Sequence, residues 1–229
     1  MAAARGALTS RCSSAAGTMA EARAAFLDAT STAVRLLERR ELAERWQQDS
    51  VLPQFTVAAL AGHLLRGMTT VEQYLDGPEP AEAGISAARY FHPVIRSADI
   101  DDPAHQAIRG RGAEAAVGGP AALGGKARAA LGRLSPRLAG MGAGRRLRVA
   151  GGLVMTLDEY LRTRVVELVV HADDLAASLG VELAPPRPAI CAVAIDVLVG
   201  VARIRHGDMA VLRALARRER DAVEALRVL

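Results

Sequence analysis

The sequence predicts an all-α protein, and three observations support this fold class. Ala, Leu, Arg and Val are abundant, a composition that suits closely packed helices. Aromatic residues, which strands favour, make up only 3% of the chain. Apolar residues recur at helical spacing in several segments, most clearly between residues 157 and 179. With 51% hydrophobic and 24% charged residues among 229, the chain should fold around one main core.

The first two helices are predicted from apolar periodicity and local start and stop signals. The first should run from about Ala20 to Arg45. The second should begin at Thr56, whose hydroxyl can cap the free amides, with Phe55 before it as a hydrophobic staple. Residues 77–78, a Gly-Pro pair, should end this second helix.

The stretch from Pro78 to Pro120 is rich in Gly, Pro and Asp and shows only broken periodicity. We therefore predict a long irregular connection, and connections of this length inside a compact domain usually carry function. Substrate recognition is expected to involve this segment. A third helix should span Ala121 to Leu138 and end in the glycine cluster of residues 140–144.

The fourth helix has the clearest boundaries in the sequence. Thr156 and Glu159 match a capping box, and Gly180 is the glycine that often follows a helix. Valines at positions 166, 169 and 170 add apolar character outside the main stripe, so protein should surround the middle of this helix. Ionisable side chains there need partners.

The two ends of the chain differ in character. Residues 1–18 are small, polar and free of acidic side chains, so we expect a disordered and dispensable tail. After the break at Pro185 to Pro188, a fifth helix should run to about Arg205. Asp208 can cap a sixth helix that continues towards Arg218.

Composition argues against several classes of function. No apolar run reaches the roughly 18 to 20 residues that a membrane-spanning helix needs. Cys12 and Cys191 imply no disulfide framework, which makes the cytoplasm the default location. The pI near 9.7 suggests a nucleic-acid partner, but the net charge is only +4 and arginines alternate with acidic residues in most helices. We expect neither a membrane nor a nucleic-acid partner.

A polar stripe runs along the predicted fourth helix. Glu167 and His171 are four residues apart, so they project from one face within reach of a common ion. Arg164 and Asp174 share this face. A buried carboxylate must be neutralised, and Arg164, a protonated histidine or a metal could each neutralise Glu167. Asp174 could orient His171, although a surface carboxylate is the simpler interpretation.

A metal site needs a third ligand, and His63, in the middle of the second helix, is the best placed candidate. Two imidazoles and one carboxylate would leave coordination positions open, as in catalytic metal sites. The ordinary interpretation is that His63 is a core histidine and that Glu167 pairs with Arg164. Spacing alone leaves both open. Three other histidines lie in the irregular segment or at a helix end: His92, His105 and His206.

Two segments carry a resemblance to a known family. TVAALAGHLLRG (56–67) resembles the metal-binding second helix of DinB-like four-helix bundles. EYLRTRVVELVVHADDLAASLG (159–180) is similar to the signature helix of mycothiol-dependent maleylpyruvate isomerases within that superfamily. The resemblance implies a DinB-like up-and-down four-helix bundle at 19–180, with additional C-terminal helices at 181–229 packed on it. Its metal ligands fall on His63, Glu167 and His171.

The resemblance also implies a reaction. In this family a divalent metal binds the thiol of mycothiol, a small thiol of actinobacteria, and the thiolate attacks a small electrophile in cis–trans isomerisation or thiol transfer. Zinc is the default metal, although these ligands also suit nickel, iron or manganese. Arg164 is the candidate catalytic residue, and Arg164 and Arg66 are candidates for binding the thiol cofactor or a substrate carboxylate.

A second function class stays open at this point. The chain could be a non-catalytic DinB-like module that binds a metal or another ligand without performing chemistry. A metal site closed by four protein ligands, or the lack of room for a thiol beside the ion, would favour that module. The three open-site ligands favour an enzyme whose partners are a small electrophile and a low-molecular-weight thiol.

Overall fold

The computed structural model describes residues 21–94, 101–142, 144–216, 226 and 228. The predicted tail at residues 1–18 therefore lies outside the described residues. Most of the described chain is helical, and its only strands form one short antiparallel hairpin. The predicted all-α bundle is confirmed.

The helices follow one another in this order: α1 at residues 21–37, α2 Arg40–Glu44, α3 Val57–Leu75, α4 Ala87–Val94, α5 Pro103–Ala115, α6 Gly119–Ala139, α7 Leu157–Leu179, α8 Pro188–His206 and α9 Asp208–Ala216. A hairpin of β1 (Arg146–Arg148) and β2 (Val154–Thr156) separates α6 from α7. Its turn is a short 3₁₀ segment in which Gly151 and Gly152 have φ angles of 72° and 75°. Positive φ angles of this kind suit glycine.

Local capping explains the boundaries of the two helices that carry the candidate ligands. Thr56 accepts a hydrogen bond from the backbone N–H of Ala59 at 3.2 Å, which starts α3. Thr156 likewise accepts from the N–H of Glu159 at 3.3 Å, and α7 ends at Gly180 with φ 64°. The carboxylate of Glu159 accepts from the N–H of Ala87 at 2.6 Å. Glu159, which the predicted capping box assigns to the start of α7, thus binds a backbone N–H at the start of α4.

The first helix is shorter than predicted. The chain is extended at Arg39 (φ −68°, ψ 141°), so the predicted helix from Ala20 to Arg45 is divided into α1 and α2. The turn allows Leu42 on α2 to be fully buried in the core. Burial of a leucine outweighs the modest helical preference of the residues at the break.

The prediction of an irregular connection from Pro78 to Pro120 was wrong, because this segment contains α4 and α5. Asp102 caps α5 by accepting from the N–H of Ala104 at 2.8 Å, and Pro103 occupies the first helical turn. The glycines of α5 interrupt its apolar pattern in the sequence. One of them, Gly112, is buried where α5 crosses α3.

Most of the helices contribute to one apolar core. α3 packs against α5, α6 and α7, while α8 packs against α4 and α7. Fully or nearly fully buried side chains come from α1, α2, α3, α4, α6, α7, α8 and α9. The predicted division into residues 1–18, 19–180 and 181–229 stays a prediction. None of the helices in the described ranges is both long and apolar enough to cross a membrane.

Candidate metal centre

Three predicted ligands converge between α3 and α7. The Nε2 atom of His63 lies 3.0 Å from Oε2 of Glu167, and Nε2 of His171 lies 3.4 Å from the same oxygen. One possible ligand atom from each side chain lies within 4.8 Å of the others. Residues more than a hundred positions apart in the sequence thus meet in one place, as predicted from the sequence.

A small residue allows the two helices to approach at this site. Gly67 lies one helical turn after His63, on the same face of α3. A Cβ atom at Gly67 would lie only 3.1 Å from Cδ2 of Leu168 on α7. Because Gly67 has no side chain, α3 can pack closely against α7 at Leu168, and this brings His63 near Glu167, the residue before Leu168.

Burial and hydrogen bonding set the charges of the three side chains, whose exposed fractions are 18% for His63, 21% for Glu167 and 24% for His171. Burial disfavours the ionised form of Glu167, but hydrogen bonds from both histidines and the charge of Arg164 hold its pKa well below the usual value. Burial lowers the pKa of His63. Burial opposes the charged form of His171, but Asp174 and Glu167 outweigh it and raise its pKa to about 9.

The donor set fits a divalent ion. An ionised carboxylate and two imidazole nitrogens are the ligands of open catalytic sites for zinc and similar metals. Within the described ranges this group contains His63, Glu167 and His171 and no fourth His, Cys, Asp or Glu. The arrangement can hold one ion and leave room for a further ligand.

A cavity of about 690 Å³ opens beside the ligands. Ligand pockets commonly have about 300 to 1,000 Å³, so this space can admit a small molecule. Its walls come from α3, α4, α5, α7 and the hairpin turn, and are formed by His63, Arg66, Gly67, Thr70, Tyr74, Tyr90, Ile108, Arg111, Ala150, Gly151, Leu153, Tyr160, Arg164 and Glu167. A groove of about 520 Å³ between α1 and residues 181–190 contains none of the candidate ligands.

Both predicted arginines line this cavity. Arg164 is 9% exposed, and its Nη2 lies 3.9 Å from Oε1 of Glu167. Its guanidinium carbon lies 5.0 Å from the centre of the Tyr160 ring, within the range of cation–π attraction. Arg164 thus pairs loosely with Glu167 and also faces the cavity. Arg66 is half-buried and forms no ion pair with the other described residues.

Sequence reasoning missed Arg111 and the tyrosines of the cavity. Arg111 lies on α5. It could have been found only by recognising Asp102 and Pro103 as the start of that helix. Tyr160 donates a hydrogen bond to Thr70 at 2.9 Å. Burial raises the pKa of Tyr160 to about 12 and also raises the pKa of Tyr90, so both phenols stay protonated at neutral pH.

The remaining polar candidates are placed as follows. Asp174 is half-buried with Oδ2 3.0 Å from Nδ1 of His171, so the expectation of a simple surface carboxylate was wrong. His105 and His206 do not join the metal-binding group. The side chain of His92 lies outside the described residues.

Comparison with known proteins identifies the family. No curated protein and no solved structure was found to match the chain. The family model of the mycothiol maleylpyruvate isomerase N-terminal domain matches residues 26–176, a range that covers more than half of the chain and all three candidate ligands. The resemblance predicted from two helices is thereby confirmed. The chain belongs to the family of the mycothiol maleylpyruvate isomerase N-terminal domain.

Proposed function

We propose that this protein is a metal- and mycothiol-dependent enzyme acting on a small electrophile by cis–trans isomerisation or thiol transfer. One observation carries the proposal: in a chain of this family, His63, Glu167 and His171 converge beside a cavity of about 690 Å³ that His63 and Glu167 help to line. When bound there, a divalent ion would hold a thiol as its nucleophilic thiolate at neutral pH. Zinc is the expected ion.

None of the described residues places a cysteine thiol beside the candidate ligands. Cys191 is half-buried on α8, with its Sγ 3.7 Å from the carbonyl oxygen of Pro186, and it does not line the cavity. Cys12 lies outside the described residues. These placements support a separate thiol molecule, and the family name points to mycothiol.

The charge of the cavity supports an anionic electrophile. Arg66, Arg111 and Arg164 line it, whereas Glu167 is the only acidic lining residue in the part of the chain that the structure describes. Guanidinium groups bind carboxylates through paired hydrogen bonds, and such pairs strengthen when water is excluded. We expect Arg66 and Arg111 to bind the anionic group of the electrophile, which leaves Arg164, next to Glu167 and Tyr160, to contact the thiol.

The cavity also bears on the alternative of a non-catalytic module. A non-catalytic module would be favoured by a metal site closed by four protein ligands, or by the lack of room for a thiol beside the ion. The described residues supply three ligands, and the adjoining cavity is large enough for a small molecule. Both features favour the enzyme.

The substitution His171→Ala tests the proposal. It leaves two ligands, too few to retain a divalent ion against water, so bound metal and thiol-dependent turnover should both be lost. Metal content is measured by mass spectrometry and thiol adducts are sought with small anionic electrophiles. Asp173→Ala, which changes an exposed residue on the same helix, is the control. Full metal content with undiminished turnover in His171→Ala would refute the mechanism.

The substitution Arg164→Gln separates two roles of this side chain. If Arg164 binds thiol or substrate, turnover should fall while metal content stays at the wild-type level. If its role is to balance the charge of Glu167, metal content itself should change. The distance of 3.9 Å between Arg164 and Glu167 is long for a hydrogen bond, and both histidines contact the same carboxylate more closely, so we expect the first result.

A further inference from the structure

The two candidate histidine ligands have different surroundings. The Nδ1 atom of His171 lies 3.0 Å from Oδ2 of Asp174. His63 has ring contacts with Phe55 and His171 and a contact between its Nε2 and Glu167, but its Nδ1 has no hydrogen-bond partner among the described residues. One histidine is therefore held at both nitrogens and the other at one.

The contact between His171 and Asp174 decides which nitrogen can bind an ion. An ionised carboxylate only accepts hydrogen bonds, so Nδ1 of His171 must carry a proton in this contact. In the neutral ring, Nε2 then carries the lone pair, and Nε2 is the atom that faces Glu167 at 3.4 Å. The ring thus points its ligand atom at the other two candidate ligands.

The contact is built into a single helix. His171 and Asp174 are three residues apart on α7, so their spacing does not depend on packing between helices. Asp174 forms no ion pair with an arginine or lysine in the described ranges. Its backbone carbonyl also accepts from the hydroxyl of Ser178 at 2.7 Å, within the same helix.

We propose that Asp174 is a positioning residue that orients His171, through its Nδ1–H, for binding the metal ion. The inference rests on the proposed function and adds a residue to it. Carboxylates behind a ligating histidine fix the orientation of its ring and raise the basicity of the ligand nitrogen. Asp174 acts through His171 and does not itself touch the ion.

Zinc binding to the whole chain tests this role. The dissociation constant for Zn²⁺ is measured by competition with a chromophoric chelator for the wild type, Asp174→Ala, Asp174→Asn and Asp173→Ala. Loss of such a partner typically weakens metal binding by about 10- to 100-fold, and we expect this for Asp174→Ala. Asn can still accept from Nδ1–H, so Asp174→Asn should be intermediate. Asp173→Ala, at the exposed neighbouring residue, should match the wild type.

A spectroscopic measurement separates positioning from a purely structural role. In the zinc-loaded wild type, the Nδ1 proton of His171 should give a downfield NMR signal that exchanges slowly with water. The signal should persist in Asp173→Ala and disappear in Asp174→Ala. If wild type binds zinc and Asp174→Ala binds it equally well, the role of Asp174 is refuted while the proposed function stands. If wild type binds no zinc, the metal site and this inference both fail.

Discussion

The crossing of α3 and α5 offers a direct test of how the cavity is built. A Cβ atom at Gly112 would lie 2.5 Å from the carbonyl oxygen of Ala59, and one at Gly62 would lie 2.0 Å from the carbonyl oxygen of Gly112. Both obstacles are backbone atoms, which no side-chain rotation can move. The substitution Gly112→Ala must therefore push α5 away from α3.

Two opposing effects set the expected change in the free energy of unfolding of Gly112→Ala. Replacing a helical glycine by alanine stabilises a protein by roughly 0.5 to 1 kcal/mol when space allows. Overpacking a core typically costs about 1 to 3 kcal/mol, and contact with rigid backbone belongs at the upper end. We expect Gly112→Ala to lower the free energy of unfolding by about 1 to 2 kcal/mol.

Gly110 provides a matched control on the same helix, because a Cβ atom there would meet nothing within 4 Å. Gly110→Ala should raise the melting temperature by about 1 to 4 °C, since a gain of about 0.5 to 1 kcal/mol is expected and 1 kcal/mol corresponds to about 2 to 4 °C for a chain of this size. Gly112→Ala should lower it by a similar amount or more. Thermal and urea unfolding measure both. Equal stability of the two variants would refute the close crossing.

Three further predictions concern ionisation and stability. His171 has a pKa of about 9 without metal and must lose its proton to bind an ion, so the apparent affinity for zinc should rise about tenfold per pH unit up to about pH 9 and then level off. Chelator competition between pH 7 and 10 measures this affinity, and a flat profile below pH 9 would contradict the prediction. Tyr160→Phe should lower the free energy of unfolding by about 1 kcal/mol in urea through loss of the hydrogen bond to Thr70, and an unchanged midpoint would argue against that bond. Arg23 pairs with Asp158 at 2.8 Å and donates to the carbonyl oxygens of Leu138 and Met141. Arg23→Met should therefore lower the free energy of unfolding in urea by about 2 kcal/mol or more, whereas a decrease of under about 1 kcal/mol would be expected for an exposed ion pair.

The sequence predicted best those features that depend on nearby residues. Thr56 and Thr156 begin α3 and α7 through hydrogen bonds to residues three positions further on, so both starts are readable locally. The pair Glu167 and His171 follows from helical spacing in the same way. His63 could be added only as the best placed histidine and through the family resemblance, because its distance from α7 depends on packing.

The features that were missed depend on distant contacts. α4 begins where Glu159 accepts from the backbone of Ala87, 72 positions earlier in the chain. β2 is held by a hydrogen bond of 2.8 Å from the N–H of Ile85 to the carbonyl of Val154. No local sequence pattern predicts either contact. The start of α5 at Asp102 and Pro103 is a local signal that was overlooked, but the position of Arg111 beside the cavity depends on the crossing of α5 and α3 at Gly112.

The hairpin between α6 and α7 contributes to the shape of the cavity but not to the candidate ligand set. Its turn, with Ala150 and Gly151, forms part of the cavity wall, whereas the candidate ligands all belong to α3 and α7. A change in the length or composition of this turn would alter the shape of the cavity without changing the three candidate ligands. The shape of the cavity and the candidate ligand set can therefore vary independently, and Gly151 and Gly152, with their positive φ angles, lie at the point where the cavity wall can change.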